Sequence, residues 1–445
     1  MKTVLVIGPD FVPSSMPPAL RLRFLVRHLP EFGWQPLVLS VEPRFYEHAI
    51  DPENERLLPP DLEVIRTPAA SASWSRKIGV GDLGWRSLRQ QWKAIRRISR
   101  QRKIDLLFVS VPPYPTMVLG RLAHDRLGLP YVVDYQDPWL SDYYLHASNA
   151  QRPPKWWLAR YMAKTLQPFA VRRAAHITGV SKGTTDSVVR RYRWLNQNDT
   201  TEIPLGGEPA DFVYLRRNPR RNQIFIRGDG LLHLGYVGVC IPGMHPVVRA
   251  LFAAVRQGLT ANPAIFSRLR MHFVGSTYSP HPAEQVMPIA RDMGLEGVVT
   301  EWPARVPYLD ALQILLDSDA VVVIGSDAPH YTASKVFPYI LSGKPLLAIF
   351  HQESSVVKII SETSAGRVIT FDSANRPPAH GVAEIRAWLE KLLASPAELL
   401  PRTDWAAFEA YTTRAMSRRL AAVFDDALGT PTGSLAAANG AANAP

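Results

Sequence analysis

The chain has a single cysteine, Cys240, among its 445 residues. That excludes a disulfide framework and any metal site built from several thiolates, and it suits a reducing compartment. Long apolar runs are also missing: no stretch approaches the length needed to cross a bilayer. The six residues Thr3-Val-Leu-Val-Ile-Gly8 after Met1-Lys2 are too few for a secretory signal core and read as a buried first strand. No Gly-x-Gly-x-x-Gly loop follows that strand, which argues against a dinucleotide cofactor there. Acidic residues are scarce in two places. Between Arg76 and Lys103 ten basic side chains accompany one acid, Asp82, and a second basic group runs through Arg152, Lys155, Arg160, Lys164, Arg172 and Arg173. Such surfaces fit anionic lipid or a polyprenyl diphosphate, or are solvated faces without a dedicated partner. No nucleic-acid motif accompanies them, so no nucleic-acid partner is expected.

What is present is an ordinary globular composition, 46% hydrophobic, in a chain long enough for two domains. In the first half short apolar runs alternate with helical patterns. The strand candidates are Thr3–Gly8, Pro36–Ser40, Leu62–Arg66, Leu106–Ser110, Tyr131–Asp134 and Ala175–Gly179, with helical spacing at Leu20–Leu29 and Thr116–Leu127. This alternation predicts βαβ units on a mostly parallel sheet. Arg86–Ile98 places Leu88, Trp92, Ile95 and Ile98 near one helical face with arginines around the rest, and Trp156 to Phe169 forms an aromatic-rich segment. Each reads as a packed helix, with an interfacial membrane surface as the alternative for the first and a cover for the acceptor side of the cleft for the second.

The alternation restarts with Leu231–Gly235, Arg270–Gly275, Gly297–Thr300, Ala320–Ile324, Leu346–Ile349 and Gly366–Ile369. It does so after a linker near Ile203–Phe212 where Pro204, Gly206, Gly207 and Pro209 cluster. The expected domains are therefore 1–205 and 206–402, then a helix over 403–428 packing back across them, and a mobile tail over 429–445.

Ligands of open α/β sheets bind beyond the carboxyl ends of the strands. Arg21 and Arg23, just inside the first helix, either meet a phosphate or carboxylate or lie on a solvated face. In Tyr131-Val-Val-Asp-Tyr-Gln-Asp-Pro-Trp139 the strand ends beside two carboxylates. Asp134, still in the strand, reads as structural. Asp137, where the loop begins, either orients and deprotonates an acceptor hydroxyl or simply shapes the turn. Gly235-Tyr236-Val-Gly238 follows the first strand of the second half, where glycines let a backbone approach a phosphate or sugar. Asp327, His330 and Tyr331 follow the apolar run Val321–Gly325 and are candidates to face a sugar.

Five stretches taken together resemble the family 4 GT-B glycosyltransferases, particularly the bacterial polysaccharide-associated branch. They are Arg21–Ser40; Val111-Pro-Pro-Tyr-Pro115 with Asp134-Tyr-Gln-Asp-Pro-Trp139; Val180-Ser-Lys182 with Ile203-Pro-Leu-Gly-Gly207; Val306-Pro-Tyr308; and Ser334-Lys-Val-Phe-Pro-Tyr-Ile-Leu-Ser-Gly-Lys-Pro345. The resemblance implies two Rossmann-like domains facing a central cleft, the first for the acceptor and the second for a nucleotide-sugar donor. It implies a retaining transfer to a hydroxyl of a glycan or polyprenyl-linked glycan, without a bound cofactor or catalytic metal. It places the base or ribose around Arg305, Val306, Tyr308, Tyr331 and Tyr339, and the diphosphate near Ser334 and Lys335. A lysine there offsets charge on a departing diphosphate. The expected location is cytoplasmic, and the Arg76–Lys103 and Arg152–Arg173 surfaces suit a peripheral position on the inner face of the membrane if the acceptor is lipid-linked.

Two departures bear on activity. The family's paired glutamates, eight positions apart, fall on His330 and Pro338, and proline offers no carboxylate to ribose hydroxyls. The loop after Gly235 has no Arg or Lys before Arg249. A catalytically inactive or partner-dependent binding protein and a nucleotide-sugar epimerase or hydrolase are therefore the alternatives to transfer.

Overall fold

The computed structural model describes residues 1–77, 81–140, 156–277, 282–327, 334–372 and 379–429. The chain divides into two compact units, one of Met1–Leu205 rejoined by the segment from Thr413, the other Gly206–Thr412.

The first unit is built on a seven-stranded parallel sheet ordered β3-β2-β1-β4-β5-β6-β7. The strands are β1 (Lys2–Ile7), β2 (Trp34–Val41), β3 (Glu63–Thr67), β4 (Leu106–Val111), β5 (Tyr131–Tyr135), β6 (His176–Gly179) and β7 (Thr200–Glu202). Their aliphatic runs are buried on both faces, as a helix-covered parallel sheet requires. Alternation along β1 divides the core. Val4 and Val6 face α1 (Pro17–His28), while Leu5 and Ile7 share a cluster with α2 (Leu83–Gln101), α3 (Met117–Leu127) and α4 (Trp156–Val171). Strand order reverses between β1 and β4, the place where loops part and ligands enter such sheets. The polar edge strand β7, Thr-Thr-Glu, lacks the apolar signature by which the other strands are legible.

The second unit repeats the plan in a six-stranded parallel sheet ordered β10-β9-β8-β11-β12-β13. Its strands are β8 (Leu232–Val237), β9 (Leu269–Val274), β10 (Val299–Trp302), β11 (Ala320–Ile324), β12 (Leu346–His351) and β13 (Arg367–Phe371). α5 (Pro209–Arg217) opens the unit. One core joins α6 (His245–Ala261) and α9 (Ala379–Ala394) to the sheet, and α7 (Tyr308–Asp317) and α8 (Val336–Ser342) lead into β11 and β12.

The helix expected over 403–428 is two pieces. Trp405–Phe408 stays with the second unit, and Thr412, extended at φ −83° and ψ 157°, bridges to Gly207 before α10 (Thr413–Ala427) starts. α10 belongs to the first unit. Phe424 meets the edges of Trp34 and Phe108 at 5.2 and 5.3 Å, and the Ser417 hydroxyl donates to the Leu25 carbonyl.

A polar chain crosses the second sheet. Asp229 lies 3.1 Å from His233 Nε2, His233 Nδ1 lies 2.9 Å from His272 Nε2, and His272 Nδ1 lies 2.7 Å from the Thr300 hydroxyl. An ionised carboxylate only accepts, so one neutral tautomer set satisfies the chain: each ring carries its proton on Nε2 and Thr300 donates. Phe225 stacks on both rings. Burial, then His233 and Arg270, pull His272 down to about 4. The unfolded chain, with an ordinary histidine near 6.5, binds the proton more readily between those values. Stability is therefore complete above pH 6.5 and falls as pH drops toward 4, by up to about 3 kcal/mol. Urea unfolding from pH 7 to 4 checks this, and His272→Gln should flatten that part of the profile.

Candidate functional site

In the first unit the ends of β4 and β5 carry the acidic motif. Asp134 is fully buried and saturated. It accepts from Arg21 Nε and Nη2 at 2.8 and 2.7 Å, from the Ser110 hydroxyl at 3.1 Å and from the Thr178 hydroxyl at 2.8 Å. Arg21 and Arg23 are both buried, which corrects the solvated-face reading: Arg21 meets a carboxylate of its own fold. Three residues on, the chain has left the strand and Asp137 is exposed. Its carboxylate has no hydrogen-bond or ion-pair partner among the described residues. Beside it Tyr114 stacks on Trp139 at 5.4 Å with planes 5° apart, and the Tyr114 hydroxyl donates to the Asp137 and Pro138 carbonyls. Burial, then the charges of Asp137 and Asp82, push that phenol well above its ordinary value.

A second polar group at this end escaped the sequence. His48 Nε2 lies 2.8 Å from the Ser14 hydroxyl and 3.2 Å from buried Asp10, with its ring stacked on Tyr46. No spacing announces it, because the parallel pairing of β1 with β2 brings the two loops together.

In the second unit the end of β8 organises the candidate donor residues. Lys335, just before α8, sends its Nζ back to the Tyr236 hydroxyl at 2.5 Å and the Val239 carbonyl at 3.1 Å, 4.6 Å from the centre of the Tyr236 ring. Burial pulls this ammonium down to about 8, against a smaller opposing effect of Cys240. Gly238 makes room for it. Its φ of 135° suits glycine, and a Cβ there would lie 3.2 Å from the lysine stem.

Several expected ligand-facing residues are supports instead. Gly235 lies inside β8 against the Ser318 hydroxyl, 2.3 Å from any added Cβ, so its smallness serves strand packing. Tyr236 and Tyr339 are buried. The Tyr339 hydroxyl accepts from the Val237 amide at 2.6 Å and is 3.0 Å from its carbonyl, which pins the strand end. The Tyr308 hydroxyl donates to Asp211 of α5 at 2.8 Å. Pro338 is the third residue of α8, where an amide has no acceptor within the helix, so proline fits there.

Arg305 and Val306 line a cavity of about 310 Å³ with Trp302, Arg221, Asn222 and Ile224. Val306 also packs in one apolar cluster with Val237 and Val274, so the cavity adjoins the same end of β8. Asn222 Oδ1 accepts from the Ile224 amide, while its Nδ2 is buried without a partner. Asp327 and Ser334 are exposed, and the Asp327 amide donates to the Gly243 carbonyl. His330 and Tyr331 lie outside the described residues. Among the described residues no three His, Cys, Asp or Glu side chains converge to hold a metal ion, and no helix is long and apolar enough to cross a membrane.

Residues 18–206 match the family described as glycosyl transferase 4-like domain. No curated protein sequence matches the chain. Solved structures show the same fold over nearly the full length at low identity. A glycosyltransferase from Rickettsia africae superposes with a TM-score of 0.58 at 13% identity, over 97% of this chain and 99% of that one. A UDP-forming α,α-trehalose-phosphate synthase from Burkholderia vietnamiensis gives 0.56 at 11% identity, over 97% and 100%. Anabaena HepE in complex with UDP-glucose gives 0.51 at 15%, over 96% and 98%. The two-sheet architecture of this chain is thus GT-B-like.

Proposed function

We propose, from the match of residues 18–206 to the glycosyl transferase 4-like domain and the GT-B-like two-sheet architecture, that this chain transfers a sugar from a nucleoside-diphosphate-sugar to a hydroxyl of a glycan or lipid-linked glycan. The observation that carries this reading is Lys335, an ammonium held by short contacts at the end of β8. A preplaced cation in a low-dielectric setting stabilises charge as it gathers on a departing diphosphate, with little reorganisation. The neighbouring cavity, with the half-exposed Trp302, Arg305 and the free Asn222 Nδ2, offers a flat apolar wall and donors to a heterocyclic base. HepE and the trehalose-phosphate synthase, whose names specify UDP-glucose and UDP, share this fold and support a donor of that class. On the first unit, Asp137 takes the acceptor hydroxyl as its partner and draws off the proton as the new bond forms, beside the apolar slab of Tyr114 and Trp139. Retention of configuration belongs to the same proposal and follows from the family resemblance.

The test is direct binding to UDP, GDP, ADP, TDP and their sugar conjugates, followed by transfer assays with the donor selected. One base should bind selectively. Asp137→Asn should leave that binding and the melting temperature unchanged while lowering transfer 10²- to 10⁴-fold. A folded sample that binds none of the panel would overturn the proposal. Binding without turnover would favour the non-catalytic alternative, for which Pro338 in place of a ribose-binding carboxylate is the specific observation.

A further inference from the structure

The histidine pair of the second sheet and the wall of the 310 Å³ cavity are joined by one short segment, Arg221 to Ile226. Along β8 and β9, Leu232, Leu234, Tyr236, Met271 and Phe273 enter the main core, so His233 and His272, lying between them, face the other side of the sheet. There Phe225 covers both rings, with centroids 4.4 and 4.6 Å away, and packs with Val274 and with Ile314 of α7. Phe225 is 8% exposed, whereas its neighbour Ile226 is 75% exposed, so a single residue of a surface loop keeps water from the pair. The residues just before it, Arg221 to Ile224, line the cavity together with Trp302, Arg305 and Val306. Asn222 ties the two together. Its Oδ1 accepts from the Ile224 and Phe225 amides at 2.8 and 3.3 Å, so the side chain that offers its Nδ2 to the cavity is fixed to the backbone of Phe225.

The neutral pair is satisfied where it stands, but a charged pair is not. A proton added to His272 goes to Nδ1, and Thr300 must then turn to accept, its own hydrogen left with a long 3.5 Å contact to the Met271 carbonyl. A proton added to His233 also goes to Nδ1, which sets two donors against each other at 2.9 Å. The charges that face the pair do not neutralise it. Arg270 on β9 repels His272, and Asp229 is held at the far side of His233. Asp319, before β11, accepts from the His233 amide, and Asp317 of α7 is taken by Arg227 and Gln313. The phenyl face of Phe225 attracts a cation, but by less than the hydration that burial removes. A charged pair therefore draws in water, and water reaches it by lifting Phe225.

We infer that Phe225 is a latch: the neutral histidine pair holds it, and with it Asn222, against the cavity, and protonation of the pair in mild acid releases the segment and weakens binding of a ligand there. That this ligand is the base of a nucleotide-sugar rests on the function proposed above. The latch itself does not, because it is built from contacts within the second unit.

Amide hydrogen exchange of the full-length protein at pH 7 and pH 5, corrected for the intrinsic pH dependence of exchange, reads the latch without any ligand. Binding of UDP-glucose, whose diphosphate does not titrate in this range, reads the cavity on the same samples. His272 is held down to about 4 under the latch and returns toward an ordinary 6.5 when it opens, so opening at the Ile224 and Phe225 amides should be roughly 10- to 30-fold more frequent at pH 5 than at pH 7. The amides of β11, Val321 to Ile324, should stay protected at both. UDP-glucose should bind more weakly at pH 5. His272→Gln, whose amide can donate to His233 and accept from Thr300, should remove both pH effects. Phe225→Ala should open the segment already at pH 7. Exchange equal at both pH values, exchange that rises only together with β11, or a pH effect that persists in His272→Gln would each overturn the inference. So would UDP-glucose binding that is equally tight at both pH values while the segment opens. If the exchange pattern holds and UDP-glucose binds at neither pH, the latch stands and the reading of the cavity as a uridine site falls.

Discussion

Lys335→Met should yield a protein that melts higher than the parent and holds a nucleoside diphosphate less tightly. The two effects share one cause. Burial at the end of β8 lowers the lysine to about 8 in the fold, against an ordinary 10.5. Between those values the unfolded chain binds more protons, so stability rises with pH from 8 to 10.5. Below pH 8 the buried ammonium costs the full difference, up to about 3 kcal/mol. Methionine has a similar length and no charge to bury, so at pH 7 it should recover part of that cost and abolish the rise above pH 8. Thermal melts of both proteins at pH 7 and pH 10 measure this. A hydrogen bond from a charged donor to phosphate contributes about 1.5–3 kcal/mol, so the same substitution should weaken diphosphate binding by roughly 10- to 100-fold. Affinity of the parent protein should also fall as pH rises past 8. A variant that is destabilised yet binds normally would make Lys335 a packing residue.

The second large effect lies in the first unit. Asp134→Ala strands the buried Arg21 guanidinium and leaves the Ser110 and Thr178 hydroxyls without their shared acceptor. Removing one partner of a buried ion pair costs about 3–5 kcal/mol, because the remaining charge stays in a low-dielectric site. Replacing both charges, Arg21→Met with Asp134→Leu, removes that penalty and should recover most of the loss. Urea unfolding of the two variants separates the cases. Equal losses in both would show that the pair contributes directional bonding beyond charge compensation, and a loss below about 1 kcal/mol in the single variant would mean that water reaches Arg21.

Much of the architecture was legible in the chain. Runs such as Val4–Ile7 and Val321–Ile324 are aliphatic without interruption, and only a strand buried on both faces tolerates that pattern. Where the local pattern was thin the reading failed. The polar triplet Thr200–Glu202 pairs at a sheet edge without an apolar signal, and the helical spacing after Thr403 passed over the extended Thr412, at the join between the units.

For the site, the sequence by itself placed Asp134 within a strand and Asp137 beyond its end, because strand periodicity is a local property that a linear reading recovers, whereas Lys335 was singled out only by the family resemblance. Only the tertiary structure decided what those residues meet. Arg21 reaches Asp134 across 113 positions of sequence, and Lys335 reaches Tyr236 across 99. The same folding turns Tyr236, Tyr339 and Gly235 inward as supports and leaves Asp137 outside. Burial and partnership depend on which strands become neighbours, and neighbours in a parallel sheet are separated by whole helices of chain, beyond the range of any local pattern.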